Sequence, residues 1–355
     1  MVVDAVGVRP GSSAVILENL LAAWVRDHDD EVVVVSDGAP QLVLPPGVEA
    51  VSVGGPEGGP LAAVGRRSLG VRRAAKRLRA DAVLSGVIAS ALAGTPCRRG
   101  TVVTDVRHEL RPHQFSRGRR LARLVSYGWT FRRADALFCI SERTRGDLVR
   151  RRPWLRDKAV ATLLGSDHVD AWPAPEPTGE APYAVAFGQF ANKNVDKVLA
   201  AWAELCRTDD RLQLRLVGIP GSARAPIEEQ VAALGLGDRV EPQSWLDDDA
   251  FARCFAGASL VVFPSDFEGY GLPVVEALRL GIPVVVSDDP ALAEVSGGHA
   301  VVAPDLSPAP LAAAMRTALA TTPEQRAAGR AWTDGLTWSG MAAQVRAGLF
   351  PDAAG

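Results

Sequence analysis

Two glutamates separated by seven residues carry the strongest chemical signal in this chain: Glu268 and Glu276, in the run Phe267-Glu268-Gly269-Tyr270-Gly271-Leu272-Pro273-Val274-Val275-Glu276. The run lies between two apolar stretches, residues 259–264 and 282–287, so its punctuation predicts strand, glycine turn, helix and strand. A proline at the expected first helical position, with a carboxylate close behind it, fits a helix N-terminus, because proline has no N–H to leave unpaired there. The open N–H groups of such a turn form an anion site. Gly269 and Gly271 remove side chains where a phosphate would approach the backbone, and Glu268 and Glu276 bracket the turn with two hydroxyl acceptors. A phosphate held between two carboxylates that grip hydroxyls describes a site for a nucleotide sugar.

Three further blocks, in order along the chain, join this one. Ala134-Asp135-Ala136 leads into Ser141-Glu142-Arg143-Thr144, Phe187-Gly188-Gln189-Phe190 precedes Asn192-Lys193-Asn194, and Gly281-Ile282-Pro283-Val284 precedes Pro290-Ala291-Leu292-Ala293-Glu294-Val295. Together with the paired glutamates they resemble the signature of the family 4 retaining glycosyltransferases of GT-B fold, over most of the chain. The resemblance implies two Rossmann-like, doubly wound parallel-sheet domains facing an interdomain cleft. It also implies transfer of a hexose-type sugar from a nucleotide-diphosphate sugar to a hydroxyl acceptor, which is a glycan, a lipid-linked glycan or a small natural product, with no bound metal and no permanent cofactor. Retention is expected by front-face substitution, since no carboxylate can be placed as a covalent nucleophile.

Residue by residue, the resemblance assigns Lys193 to the donor diphosphate, together with backbone N–H groups of Gly271 and Leu272. Glu276 falls to the ribose hydroxyls and Glu268 to those of the donor sugar. Gly188, Gln189, Asn192, Gly269 and Tyr270 complete the donor side, and Trp245 occupies the place that contacts the base, with a packed aromatic as the plainer alternative. There are departures from the family pattern. Gln189 stands where many members carry arginine, Asn192 replaces an arginine before the lysine, and Thr104 holds the place of a histidine before Asp105. His108 or Arg107 is a candidate substitute for that imidazole or for charge, and Asp105 is a candidate catalytic group on the rule that sites collect at the carboxyl ends of strands. The first strand-to-helix loop, residues 6–13, supplies Gly11 and Ser12 to a phosphate or acceptor loop, although Ser12 and Ser13 need be no more than helix caps. It is not a GxGxxG fingerprint, so a dinucleotide cofactor is not expected. Asp167 and His168 resemble the family's hinge turn.

A chain of 355 residues suits two domains of roughly 150 to 180 residues each. Short apolar runs rich in β-branched residues alternate with helical patterns, as at 31–36, 82–84, 101–104, 136–140, 184–187, 213–217, 259–264 and 282–287. That alternation specifies parallel sheets covered by helices. Pro173, Pro175, Pro177 and Pro182 punctuate a polar boundary. The domain expectation is therefore 1–168, a linker at 169–182, a nucleotide-sugar domain at 183–335, and a closing helix within 336–355 that returns to the first domain.

The net charge of −2 conceals an asymmetry: up to Asp167 there are 26 Lys/Arg against 17 Asp/Glu, and from His168 onward 13 against 24. Much of the basic excess falls in 66–79 and 117–133, which at helical spacing form either solvated faces or a surface attracted to an anionic bilayer or phosphorylated acceptor. No nucleic-acid motif accompanies the charge. Cys97, Cys139, Cys206 and Cys254 are dispersed without metal-ligand spacing, and no secretory pattern opens the chain, so a cytoplasmic enzyme with ordinary thiols is expected, peripheral to the membrane at most. The competing readings are a catalytically silent nucleotide-sugar or glycan-binding module, and a GT-B phosphorylase or epimerase.

Overall fold

The computed structural model describes residues 1–54, 60–174, 181–208 and 211–351. Two compact units divide the chain: Met1–Gly165 with the segment from Thr337 onward, and Ser166–Leu336.

In the first unit the elements run β1 (Val2–Asp4), α1 (Ser12–Asp27), β2 (Val33–Ser36), β3 (Glu49–Ser52), α2 (Pro60–Arg77), β4 (Ala82–Ser85) and β5 (Arg98–Val103). There follow α3 (Arg107–Leu110), α4 (Arg117–Arg133), β6 (Ala136–Cys139), α5 (Glu142–Arg151) and β7 (Ala159–Ala161). All seven strands are parallel, in the order β3-β2-β1-β4-β5-β6-β7. The second unit runs β8 (Tyr183–Phe187), α6 (Val195–Cys206), β9 (Gln213–Val217), α7 (Gly221–Ala233), β10 (Val240–Pro242), α8 (Asp248–Ala256) and β11 (Leu260–Phe263). It continues through α9 (Leu272–Arg279), β12 (Val284–Val286), α10 (Pro290–Ser296), β13 (Val301–Val302), α11 (Pro308–Leu319) and α12 (Pro323–Thr333). Its six parallel strands are ordered β10-β9-β8-β11-β12-β13. The last helix, α13 (Trp338–Leu349), belongs to the first unit.

The central strands are buried along their whole length: β1 reads Val-Val-Asp, β6 Ala-Leu-Phe-Cys and β11 Leu-Val-Val-Phe without an exposed residue. A strand covered by helices on both faces requires such a continuous apolar run rather than alternation. The strands missing from the expected set, β3, β7, β10 and β13, are short edge strands with exposed positions. Edge strands bury less side chain and so leave a weaker pattern. Cys139 is buried within β6, and burial pushes its thiol up to about 12.

Each sheet reverses its winding direction once, between β1 and β4 in the first unit and between β8 and β11 in the second. Loops leaving the carboxyl ends of those strands diverge to opposite sides, which opens a crevice there. The start of the expected linker, residues 169–172, is held by contacts of the second unit. Asp167–Ala171 forms a 3-10 turn within the second unit, Asp170 makes a two-pronged ion pair with Arg279 (2.9 and 2.5 Å), and Trp172 meets Phe251 and Phe255 edge to face. Pro175 and Pro177 lie outside the described residues.

Trp338, Met341, Ala342, Val345 and Leu349 all face inward along α13, which packs on α1, and Arg346 fastens it through a 2.7 Å bond from Nε to Asp30. That guanidinium holds the Asp30 carboxyl below its ordinary value of 3.8. A depressed carboxylate stabilises the fold above its unfolded pKa, and the contribution disappears as pH falls through the folded value. Acid titration of thermal stability below pH 4 should therefore show a component that Asp30→Asn lacks; identical profiles would remove the pair from the balance. In the second unit, truncating the fully buried Trp202 to alanine should cost about 3–5 kcal/mol in denaturant unfolding.

Candidate functional site

The second unit's crevice is built from the loops that follow β8 and β11. Gly188 ends β8, its N–H donating to the Val217 carbonyl at 2.8 Å, and a Cβ there would stand 2.8 Å from Ile219, so the loop passes too close to its neighbour for a side chain. After Gln189 the chain makes a 3-10 turn at Ala191–Lys193 and then enters the left-handed region at Asn194, with φ +53°. Asparagine tolerates that conformation, and its amide spans the gap to the next loop. Asn194 Nδ2 donates to the Pro264 carbonyl at 2.8 Å, and the Asp266 N–H donates to the Asn192 carbonyl at 3.2 Å. Asn192 Nδ2 donates to the Phe267 carbonyl (3.1 Å) and to Glu268 Oε1 (3.0 Å). Two loops some 75 residues apart are thereby laced into one rigid wall.

Lys193 sits at the centre of this lacing. Its Nζ lies 2.7 Å from Glu268 Oε1 and 3.8 Å from the centroid of Phe263, with only 8% of the residue exposed. An ammonium so desolvated requires a carboxylate beside it. Asn192, which the family pattern suggested as a lost positive charge, instead helps hold Glu268. Two acceptors in the same loop, Gln189 Oε1 and Asn192 Oδ1, are buried and receive no hydrogen bond among the described residues, an arrangement that suits a ligand bringing N–H or O–H donors.

Gly271 opens α9 at φ +115°, where a Cβ would come within 2.6 Å of Leu292, so only glycine fits. Leu272 rather than Pro273 is the first helical residue, and no side chain caps the end, which leaves backbone N–H groups for an anion. One turn further in, Glu276 is 5% exposed, and its Oε1 lies 3.1 Å from His168 Nε2. The paired glutamates therefore have separate partners: Lys193 and Asn192 for Glu268, His168 for Glu276. The 3-10 turn at Asp167–Ala171 and an edge-on contact with Trp172 (5.7 Å between centroids) place the imidazole. Sequence reasoning read His168 as hinge only, and a partner 108 residues away leaves no local signal. Tyr270 is buried, whereas Trp245 is 61% exposed in the loop after β10, which is not the packed aromatic of the plainer alternative. That loop is tied to the loop after β9 by the Ile219 N–H donating to the Gln243 carbonyl at 3.0 Å.

In the first unit, Gly11 caps α1 at φ +123° without a side-chain bond, and Ser12 is the exposed first helical residue, so the plainer alternative of a serine cap does not hold. Asp105 follows β5 and accepts the Arg107 N–H at 2.8 Å, which starts α3, while Arg107 Nε donates to Gln114 Oε1 at 2.7 Å. His108 corrects an expectation. Its ring is fully buried edge-on to Tyr127 (4.7 Å), Nε2 lies 3.5 Å from Glu109 Oε1, neither nitrogen has a hydrogen bond among the described residues, and burial lowers its pKa. With no exposed atom, the imidazole is packed inside the unit rather than presented to the crevice as the sequence suggested.

These folds and loops place the molecule among two-unit parallel α/β proteins with crevices at their winding reversals. The model for "Glycosyl transferases group 1" matches residues 170–332, and that for "Glycosyltransferase Family 4" matches residues 13–161. The chain thus belongs to the glycosyltransferase family 4-like proteins of GT-B fold. It is 34% identical over 169 residues to the MMP alpha-(1->4)-mannosyltransferase of Mycolicibacterium hassiacum, covering 46% of this chain and 41% of that protein. To the O-antigen chain mannosyltransferase B of Escherichia coli it is 28% identical over 181 residues, 48% of each. The matches thus span under half the length of these relatives. Sucrose-phosphate synthase from Thermosynechococcus elongatus superposes with a TM-score of 0.79 over 99% of this chain and 98% of that one, at 18% identity, a likeness of fold.

Replacing Gly271 with alanine should weaken nucleotide binding at least about tenfold, since the side chain both strains the backbone and strikes Leu292. His168→Ala should keep the fold and raise the nucleotide dissociation constant severalfold; calorimetric titration showing wild-type affinity would free Glu276 of any dependence on His168.

Proposed function

We propose that this chain is a retaining glycosyltransferase that takes a hexose-type sugar from a nucleotide-diphosphate donor to a hydroxyl acceptor without a metal ion. The observation that carries the reading is the buried Lys193–Glu268 pair set beside an uncapped helix N-terminus at the second unit's winding reversal, with Glu276 one turn inside. Breaking the bond between the anomeric carbon and the diphosphate leaves negative charge on the leaving oxygen. Lys193 and the N–H groups of Gly271 and Leu272 stabilise that charge, an electrostatic role that needs donors fixed in advance. Glu276 takes the ribose hydroxyls through the oxygen not turned to His168. Glu268 orients the sugar. On the same face, the acceptor oxygen bonds to the anomeric carbon as its proton passes to the departing diphosphate. Gln189, Asn192, Gly188, Gly269, Tyr270 and Trp245 line the donor side; Gly11, Ser12, Asp105 and Arg107 serve acceptor recognition in the first unit.

A hydroxyl acceptor at a membrane surface fits the first unit's chemistry. Leu121, Val125 and Trp129 repeat every fourth residue along α4 and are 63%, 65% and 45% exposed, beside six arginines on the same helix. Such a face suits peripheral contact with an anionic bilayer. Among the described residues no helix is long and apolar enough to cross a membrane.

Thermal protection by UDP, GDP, dTDP and ADP, each with and without EDTA, tests the donor class. A nucleotide at 100 times its dissociation constant should stabilise by about 2.7 kcal/mol. The mannosyl relatives put mannose nucleotides first in the transfer assay that follows. Glu268→Gln should abolish transfer while keeping protection. No protection by any nucleotide would favour a silent binding module, and loss of transfer in EDTA would overturn metal independence.

A further inference from the structure

A second basic site lies at the opposite ends of the first unit's strands from Asp105 and Ser12. Arg98 begins β5 and Asp135 directly precedes β6, so this place is separated from Asp105 by the length of a strand, roughly 20 Å. Here a concave pocket of about 560 Å³ gathers Arg72 of α2, Arg98 and Arg133 of α4, with Gly94, Cys97 and Asp135 among its lining.

The three guanidinium groups are oriented without being neutralised. Arg72 donates to the Ala93 carbonyl (3.2 Å), Arg98 to the Gly348 carbonyl (3.1 Å), and Arg133 lies over the Trp129 ring at 4.3 Å. None of them forms an ion pair among the described residues, whereas Arg9, Arg67, Arg143, Arg152 and Arg346 of this unit do. Asp135, the pocket's one carboxylate, is already accepting the Arg99 N–H at 2.8 Å. Gly94 explains how two of the cations converge. Its φ of +75° favours glycine, and a Cβ there would stand 3.3 Å from a terminal nitrogen of Arg133 and 3.8 Å from one of Arg72. Each arginine has five N–H donors in a planar fork, and at most one is used, so the remaining donors face a cavity with a net positive lining. A tetrahedral oxyanion satisfies such a fork better than water does.

We propose that this pocket binds a phosphate ester, at a site separate from the donor crevice. The volume exceeds that of a bare phosphate and admits the group to which the phosphate is attached. A lipid headgroup and a soluble phosphorylated compound share this chemistry.

Calorimetric titration of inorganic pyrophosphate into wild type, Arg72→Ala/Arg133→Ala, Lys193→Ala and Arg316→Ala/Arg326→Ala tests it. The Lys193 variant silences the donor crevice, and the last pair removes the same charge from the second unit. Expected is a binding component that persists in the Lys193 and Arg316/Arg326 variants and weakens at least about tenfold in Arg72→Ala/Arg133→Ala. The substituted arginines are exposed, and an unchanged melting temperature would verify that the fold survives. Co-sedimentation with vesicles containing phosphatidylglycerol then separates the sources. Vesicle binding that falls in the pocket variant identifies a lipid headgroup, whereas pocket-dependent pyrophosphate binding without it identifies a soluble ester. Pyrophosphate heat wholly lost in Lys193→Ala and unaltered in Arg72→Ala/Arg133→Ala, with equal vesicle binding by both pocket forms, overturns the proposal.

Discussion

Burying Lys193 beside the end of β11 imposes a requirement that organises the whole second unit. An ammonium taken out of water is tolerated only with a carboxylate at contact distance, and Glu268 at 2.7 Å provides it. Because the lysine comes from the loop after β8 and the glutamate from the loop after β11, the pairing requires these strands to be neighbours, as they are. Asn192 and Asn194 then bond the two loops along their length, so the wall is set before any ligand arrives. Preorganised charge of this kind stabilises a developing anion without reorganisation during reaction.

The glycine at the start of α9 belongs to the same constraint. Positive φ at Gly271 lets the chain leave the loop and enter the helix directly, with Leu292 filling the space a side chain would occupy. That turn leaves the helix end without a side-chain cap and buries Glu276 one turn further in, where His168 meets one carboxylate oxygen. Glu268, the helix end and Glu276 thus come from a single strand-turn-helix unit, and Lys193, Asn192 and His168 reach them from elsewhere in the chain.

The first unit solves a different problem. Its sheet buries Asp4 and Arg99, each with internal partners: Arg99 donates to the carbonyls of Ser90 (2.7 Å) and Ala91 (3.2 Å), and Ser85 Oγ donates to Asp4 at 3.1 Å. Burial raises the Asp4 carboxyl above its ordinary value. The basic excess that remains is spread over helix surfaces, where it is available to anions at the edges of the sheet.

Much of this was legible in the chain because it is local. The central strands follow from continuous apolar runs, α13 from its inward stripe, and the glycine turn, helix start and glutamate spacing from ten consecutive residues. The edge strands were not legible, since half-buried segments of two to four residues carry little periodicity. Partners escaped for a related reason. Asn192 reads as a missing charge and His168 as a hinge residue until the fold brings Glu268 and Glu276 to them from 76 and 108 residues away. His108 reads as a candidate imidazole until α4 covers it with Tyr127. Sequence determines periodicity and the capacity of each side chain; tertiary structure decides which capacities meet, because burial and charge pairing depend on distances that only the packed sheet and its loops define.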